Sequence, residues 1–218
     1  MNVIARSNPV LAALLLSVVC LGSANAVAAE RGLDLTMETH AAFFSSETKQ
    51  EKPIDPQVFV REEKLPPGVG PQNISHDANL RPALVAERPE TELFTAQGKP
   101  LGFNLGEWLG ARGTVAIGAD RRTVTVRLQK LRPNGTYSLF ENHFDQQPIG
   151  FTPLDGRGRT NSFVAKANGT ASVKMKAPQT LTHANAVLLV YHSDSATHGE
   201  SRGEIGVNAH HQLIARVP

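Results

Sequence analysis

The chain has 218 residues, 22 Lys+Arg against 20 Asp+Glu, a formal net charge of +2 and one cysteine. Such a length can bury a self-sufficient core. The balanced charge, with Arg121-Arg122 as the only adjacent basic pair, excludes a nucleic-acid-binding protein.

Residues 1–26 read as a secretory signal. Arg6 supplies the positive start, Val10 to Leu21 is apolar apart from Ser17, and Ala24-Asn25-Ala26 offers a small-x-small cleavage site. Cleavage is expected after Ala26, which places the protein in the periplasm or outside the cell. Cys20, the only cysteine, leaves with the signal. The mature chain therefore has no thiolate metal site, cysteine nucleophile or redox pair. It also has no second apolar run of about 18 residues, so no transmembrane segment is expected in it.

Residues 27–92 are predicted to form a Pro-rich acidic arm or linker. Pro53, Pro56, Pro66, Pro67, Pro71, Pro82, Pro89 and Pro100 punctuate the stretch into the next segment. Each fixes φ and removes a donor, which disfavours a long helix or a central strand. "LDLTMETHAAFF", Leu33 to Phe44, is expected to give a turn or two of helix or an edge strand. The charge splits between the halves of the mature chain: 8 basic and 12 acidic residues over 27–100, 13 and 8 over 101–218. That split permits the acidic arm to lie against the C-terminal domain.

Residues 93–218 read as all-β. "EWLGARGTVAIG" predicts a strand with Trp108 at its start. "RRTVTVRLQKL" alternates, with Val124, Val126 and Leu128 on one face. Pro133-Asn134-Gly135 is then a turn, and "TYSLFENHF" the expected hairpin partner. "NSFVAKANGTASVKMK" repeats the pattern about Asn168-Gly169. "NAVLLVYHS" is apolar on both parities, as a strand covered on both sides requires. "HHQLIARV" closes the chain, with His211 sharing parity with Leu213, Ala215 and Val217. About seven strands at this spacing predict an antiparallel β-sandwich of immunoglobulin-like size, with a small barrel as the alternative.

The candidate site lies between the last two strands, in "YHSDSATHGESRGEIGVNAHH", Tyr191 to His211. If those strands pair, His192, Asp194, His198 and one of His210 and His211 converge at one end of the sandwich. Imidazoles with a carboxylate and no thiolate suit zinc or copper. The competing reading makes His211 a core residue, His210 a solvated one, and His192 and Asp194 turn caps. GESRG, Gly199 to Gly203, matches G-x-S-x-G. A nucleophile elbow needs a strand before the serine and a helix after it, with the acid and histidine later in the chain. Ser201 follows a polar loop and precedes a strand pattern, so it is not read as catalytic. Glu141, His143 and Asp145 share one strand face and are read as a solvated strand end.

The stretches Gly106-Glu107-Trp108, Pro133-Asn134-Gly135-Thr136-Tyr137 and "YHSDSATHGESRGEIG" resemble exported bacterial β-sandwich proteins of unassigned function. The copper/zinc superoxide dismutase sandwich shares size and compartment, but its His-x-His strand pair and disulfide are absent here. The leading expectation is an exported non-catalytic binding module for an unknown ligand. Its binding edge would be the 191–211 loop with the neighbouring 143–160 loop. The alternatives are a zinc- or copper-binding protein, or a metal-dependent enzyme, and an envelope-associated structural protein tethered to an envelope partner by its arm.

Overall fold

A computed structural model describes residues 32–218. The predicted signal segment, its cleavage site and Cys20 lie outside the described residues. In chain order the elements are β1 (Leu33–Thr36), β2 (Glu38–Thr39), α1 (His40–Glu47), β3 (Ile54–Arg61), β4 (Gly68–Val69), β5 (Ser75–His76), β6 (Leu80–Leu84), β7 (Glu92–Phe94), β8 (Pro100–Asn104), α2 (Leu105–Gly110), β9 (Arg112–Ile117), β10 (Thr123–Gln129), β11 (Thr136–His143), β12 (Gly150–Pro153), β13 (Ser162–Val164), β14 (Ala171–Lys176), β15 (Asn185–His192) and β16 (Ala209–Arg216). No helix among the described residues is long and apolar enough to cross a membrane.

The architecture is all-β, with antiparallel sheets packed on one another. Sheet A runs β1-β9-β10-β14. Sheet B runs β12-β11-β15-β16-β2, with β13 also on β11. Sheet C runs β6-β3-β7-β8, and β4-β5 form a small ribbon. Val115, Ile117, Val124, Val126 and Leu128 from sheet A meet Leu139, Val187, Leu189 and Leu213 from sheet B. Val58, Val60, Leu93 and Leu101 of sheet C join the same core. Strand β10 alternates buried and accessible residues, so the outer side of sheet A faces water.

Sheet B is covered on both faces. Phe140, Ala186, Leu188, Val190 and Ile214 point away from sheet A into a second cluster with Phe43 of α1, Phe144 and Phe151. This is why "NAVLLVYH" is apolar on both parities: all eight residues of β15 are buried. Helix α1 is placed by Thr39, whose Oγ1 caps it by accepting from the Ala42 N–H at 3.3 Å. Ser45 Oγ then accepts from Ile54 N–H (3.0 Å) and donates to Ile54 O (3.1 Å), fixing the helix to the start of β3.

The structure differs from the sequence expectation in three places. The first is the segment 27–92, whose described part is paired rather than irregular. β1 is an edge strand on β9, β2 joins β16, and β3 sits inside sheet C. The prolines are tolerated for local reasons. Pro56 falls where the β3–β6 register shifts between Asp55 and Phe59, Pro82 lies on edge strand β6, and Pro100 begins edge strand β8. Bulges and edges are where a missing N–H costs no ladder bond. The expected boundary at 92/93 falls inside β7.

The second difference is connectivity. The turn at Asn134 (φ 58°) exists, but β10 and β11 are not a hairpin: β10 pairs with β9 and β14, and β11 with β15. The chain crosses from sheet A to sheet B there, held by Tyr137 Oη accepting from Arg132 N–H at 3.0 Å. Likewise β13 joins β11 while β14 joins β10, on either side of the turn at Gly169. The third difference is Trp108, which lies in α2, capped by Asn104 and Glu107, and not in β9.

Candidate ligand pocket and histidine cluster

β15 and β16 do pair, and the polar stretch between them closes a hairpin. Ser193 N–H donates to Asn208 O at 2.9 Å, and Glu204 O accepts from Val207, Asn208 and Ala209. Gly199 and Gly203 (φ 61° and 85°) take backbone angles that side chains resist. The neighbouring loop is built on Asp155, which accepts N–H groups from Arg157, Gly158, Arg159 and Thr160. Burial raises that carboxyl, but those bonds outweigh it and hold it near 2. A Cβ on Gly158 would collide with the Gly199 carbonyl, so the two loops touch backbone to backbone.

The five metal-ligand candidates separate into three environments. His192, Asp194 and His198 come together, and one potential ligand atom from each lies within 4.8 Å of the others. His198 Nε2 is 3.1 Å from Asp194 Oδ2, and the two imidazole centroids are 5.0 Å apart. His192 Nε2 is 2.7 Å from Ser138 Oγ, whereas its Nδ1 is buried with no partner among the described residues. Burial, with His198 alongside, holds His192 down to about 4 against a smaller opposing pull from Asp194, so it is neutral near pH 7.

His210 and His211 do not join them. A β-bulge between Leu189 and Val190 pairs Leu189 with Leu213 and Val190 with His211, so Gln212 is the extra residue of β16. The bulge inverts the parity read from the sequence. His210, and not His211, turns toward Tyr191 and Trp108. Its Nδ1 donates to Gln57 O at 2.9 Å, and Nε2 lies 3.2 Å from Ser193 Oγ. His211 turns to the outer face of sheet B, beside Phe151 and His40. Neither is solvated, as both are buried.

His211 belongs to a cavity of about 610 Å³ between α1, the 144–151 segment and the 191–211 loop. Phe43, Phe44, Phe144 and Phe151 supply aromatic walls, and Arg202 projects into the lining with its guanidinium 3.2 Å from the Phe151 ring centroid. Arg202 Nη1 donates to His211 Nε2 at 3.0 Å, and Gln57 Nε2 lies 3.1 Å from His211 Nδ1. A neutral imidazole has only one acceptor nitrogen; Gln57 Nε2 has Gln72 Oε1 as its acceptor at 2.7 Å, and His211 Nδ1 also lies 3.4 Å from His40 Nε2. Burial lowers the basicity of Arg202 to about 10, leaving it charged at neutral pH. Among the described residues no carboxylate lies in ion-pair range of it. Burial, reinforced by Arg202, holds His40 down to about 3. His211 is lowered by burial and then by His40, Arg202 and His210.

Sequence reasoning missed this cavity. Its walls come from five separated stretches, and a lone Arg in a Gly-rich loop carries no periodic signal. Ser201 sits in a turn with Oγ accepting from Gly203 N–H, and the chain continues to a strand, not a helix. Glu141 is not solvated. It is buried, with Oε1 3.6 Å from His143 Nδ1, and burial, then Asp145, pushes it up to about 7. No family model, curated protein or solved structure matches the chain.

Proposed function

We propose that this protein is an exported, non-catalytic binding module that works through the edge formed by residues 191–211. Export to the periplasm or beyond rests on the signal pattern of residues 1–26. The observation that carries the binding reading is the cavity of about 610 Å³, to which the loop contributes Arg202, Ile205 and His211. That volume lies in the range of about 300–1,000 Å³ typical of small-molecule sites, and an apolar lining with a few directed polar groups is their usual make-up. The tether alternative has less support, because the described part of its arm is already strand-paired.

Nile red, a neutral apolar dye, tests the reading. Its fluorescence should rise on mixing with the protein, and Ile205→Trp, which narrows the cavity, should weaken the rise while circular dichroism stays unchanged. A dye signal absent from the wild type, or indifferent to Ile205→Trp in the folded variant, overturns the pocket as the binding edge.

A second reading, a zinc or copper site at His192, Asp194 and His198, is favoured by the unpartnered Nδ1 of His192. If Nε2–H donates to Ser138 Oγ, the Nδ1 lone pair is left for a metal, which is how a supporting hydroxyl orients a histidine ligand. Tetrahedral zinc places its donors ~3.4 Å apart, so the three atoms, now within 4.8 Å of one another, would have to draw together on binding. Metal content of untagged protein tests it. Stoichiometric zinc or copper, lost in His192→Ala/His198→Ala, supports the site; no uptake from added zinc or copper removes it.

A further inference from the structure

Resting on the pocket reading above, we propose that the cavity takes a small organic monoanion: one carboxylate on an aliphatic or aromatic body. The charge balance of the lining is the starting point. Glu47 is the only carboxylate among the lining residues, and it is 3.3 Å from Arg216 Nη1. The lining imidazoles, His40 and His211, are buried and neutral. Arg202 therefore brings one positive charge into a half-enclosed apolar site with no carboxylate among the described residues in ion-pair range of it. An uncompensated buried charge is costly, and a ligand of opposite charge relieves that cost.

The hydrogen-bond balance points the same way. Arg202 spends one Nη1–H on His211, and its other N–H groups have no protein acceptor among the described residues. Gln57 Nε2, 3.1 Å from His211 Nδ1, already donates to Gln72 Oε1 at 2.7 Å, and among the buried lining groups His40 Nδ1 and Asn142 Oδ1 are left without a partner. The unused donors in the site are thus the remaining N–H groups of Arg202, and a carboxylate supplies acceptors only. Its planar pair of oxygens also matches the guanidinium fork. A single cation matches a single negative charge; a dianion such as a phosphate monoester would carry a second charge into the aromatic walls with no partner.

The rest of the lining fits the body of such an acid. Phe43, Phe144 and Phe151 form an apolar surface continuous with the outer cluster of sheet B, and Ile149, 41% exposed, stands at its margin. Arg202 stacked on Phe151 sets the charged end of the ligand against the ring wall. By contrast, Arg132, which lines a separate cavity of about 510 Å³ beside Gly102, is already engaged by Leu101 O and Tyr191 Oη. Its cavity therefore has no comparable demand for an anion.

Calorimetric titration with 3-phenylpropionate and its neutral isostere 3-phenylpropanamide tests the proposal, with octanoate as the aliphatic probe. At least one of the two acids should bind, and 3-phenylpropionate about 10- to 100-fold tighter than the amide, the worth of a charge-assisted hydrogen bond. Arg202→Gln, its fold checked by circular dichroism, should bring the acid down to the level of the amide. Equal affinity of acid and amide for the wild type overturns the charge inference without using any variant. So does failure of both acids in protein that still takes up Nile red; that result leaves the binding-module reading standing. Failure of Nile red as well removes both.

Discussion

Asp55 offers the most direct test of how the sheets are joined. Its carboxylate sits 1% exposed beneath the core and accepts Trp108 Nε1–H at 2.8 Å and Gln57 N–H at 2.9 Å, tying sheet C to α2. Burial raises the group, and the bonds from Trp108, Gln57 and Val58 only partly offset this, so it is pushed from 3.8 up to about 6. Below pH 3.8 the carboxyl is protonated in both folded and unfolded chains, and its contribution to stability is complete. As pH rises toward 6 the unfolded chain ionises first, and stability is lost. A rise of about two pH units at ~1.4 kcal/mol each makes the total ~3 kcal/mol, of which ~2 kcal/mol falls between about pH 4.5 and 7.5. Asp55→Asn keeps an acceptor for Trp108, cannot ionise, and turns an NH₂ toward backbone donors at a fixed cost of ~1–2 kcal/mol. Urea unfolding of wild type and variant at both pH values reads the difference. The variant should gain on the wild type by ~2 kcal/mol from the lower pH to the higher. A gap that does not change with pH would refute the argument that burial governs this carboxyl.

Burial acts with the opposite sign on the histidines. His210 is held at about 4, chiefly by burial, so the stability it contributes above pH 6.5 is lost as pH falls from 6.5 toward 4. His210→Gln should make that acid limb shallower in a stability-versus-pH series, the rest of it being carried by His40, His192 and His211, and an unchanged slope would count against it. Phe140→Ala removes a fully buried ring between sheet B and its outer cover and should cost ~3–5 kcal/mol in urea unfolding. Gly158→Ala combines a φ of 64° with a collision at Gly199, so it should lower the melting temperature and speed amide exchange at residues 199–203. Exchange confined to wild-type rates there would show that the two loops are not in contact.

Particular residues show what was legible in the sequence and why the rest was not. Doubly apolar "NAVLLVYH" announced a strand covered on both faces, whereas its pairing with β16 was only a condition of the reading, since residues 193–208 separate the two strands. The alternation of β10 revealed its buried face but not its partners, because β10 and β11 both turn residues toward one core and differ only in which sheet they join. Proline misled at Pro56 because a bulge relieved the missing donor, which no local pattern records. At His210 and His211 one extra residue in the ladder exchanged the two faces, so a correct strand yielded the wrong orientation for both. The meeting of His192, Asp194 and His198 needed only a loop short enough to fold back. Arg202 gave no signal, since its meaning comes from having no carboxylate nearby.

The pairing of β2 with β16 sets Thr39 opposite Leu213. A chain made from its N-terminus thus exposes Glu38 and Thr39 long before the strand that receives them exists. Three residues upstream, β1 waits for β9. Closure of sheet B is therefore deferred until β16 has left the ribosome. Contacts this distant in sequence make for slow folding, in milliseconds to seconds. For that interval the chain stays threadable, and deletion of residues 209–218, which removes β16, should leave it so permanently.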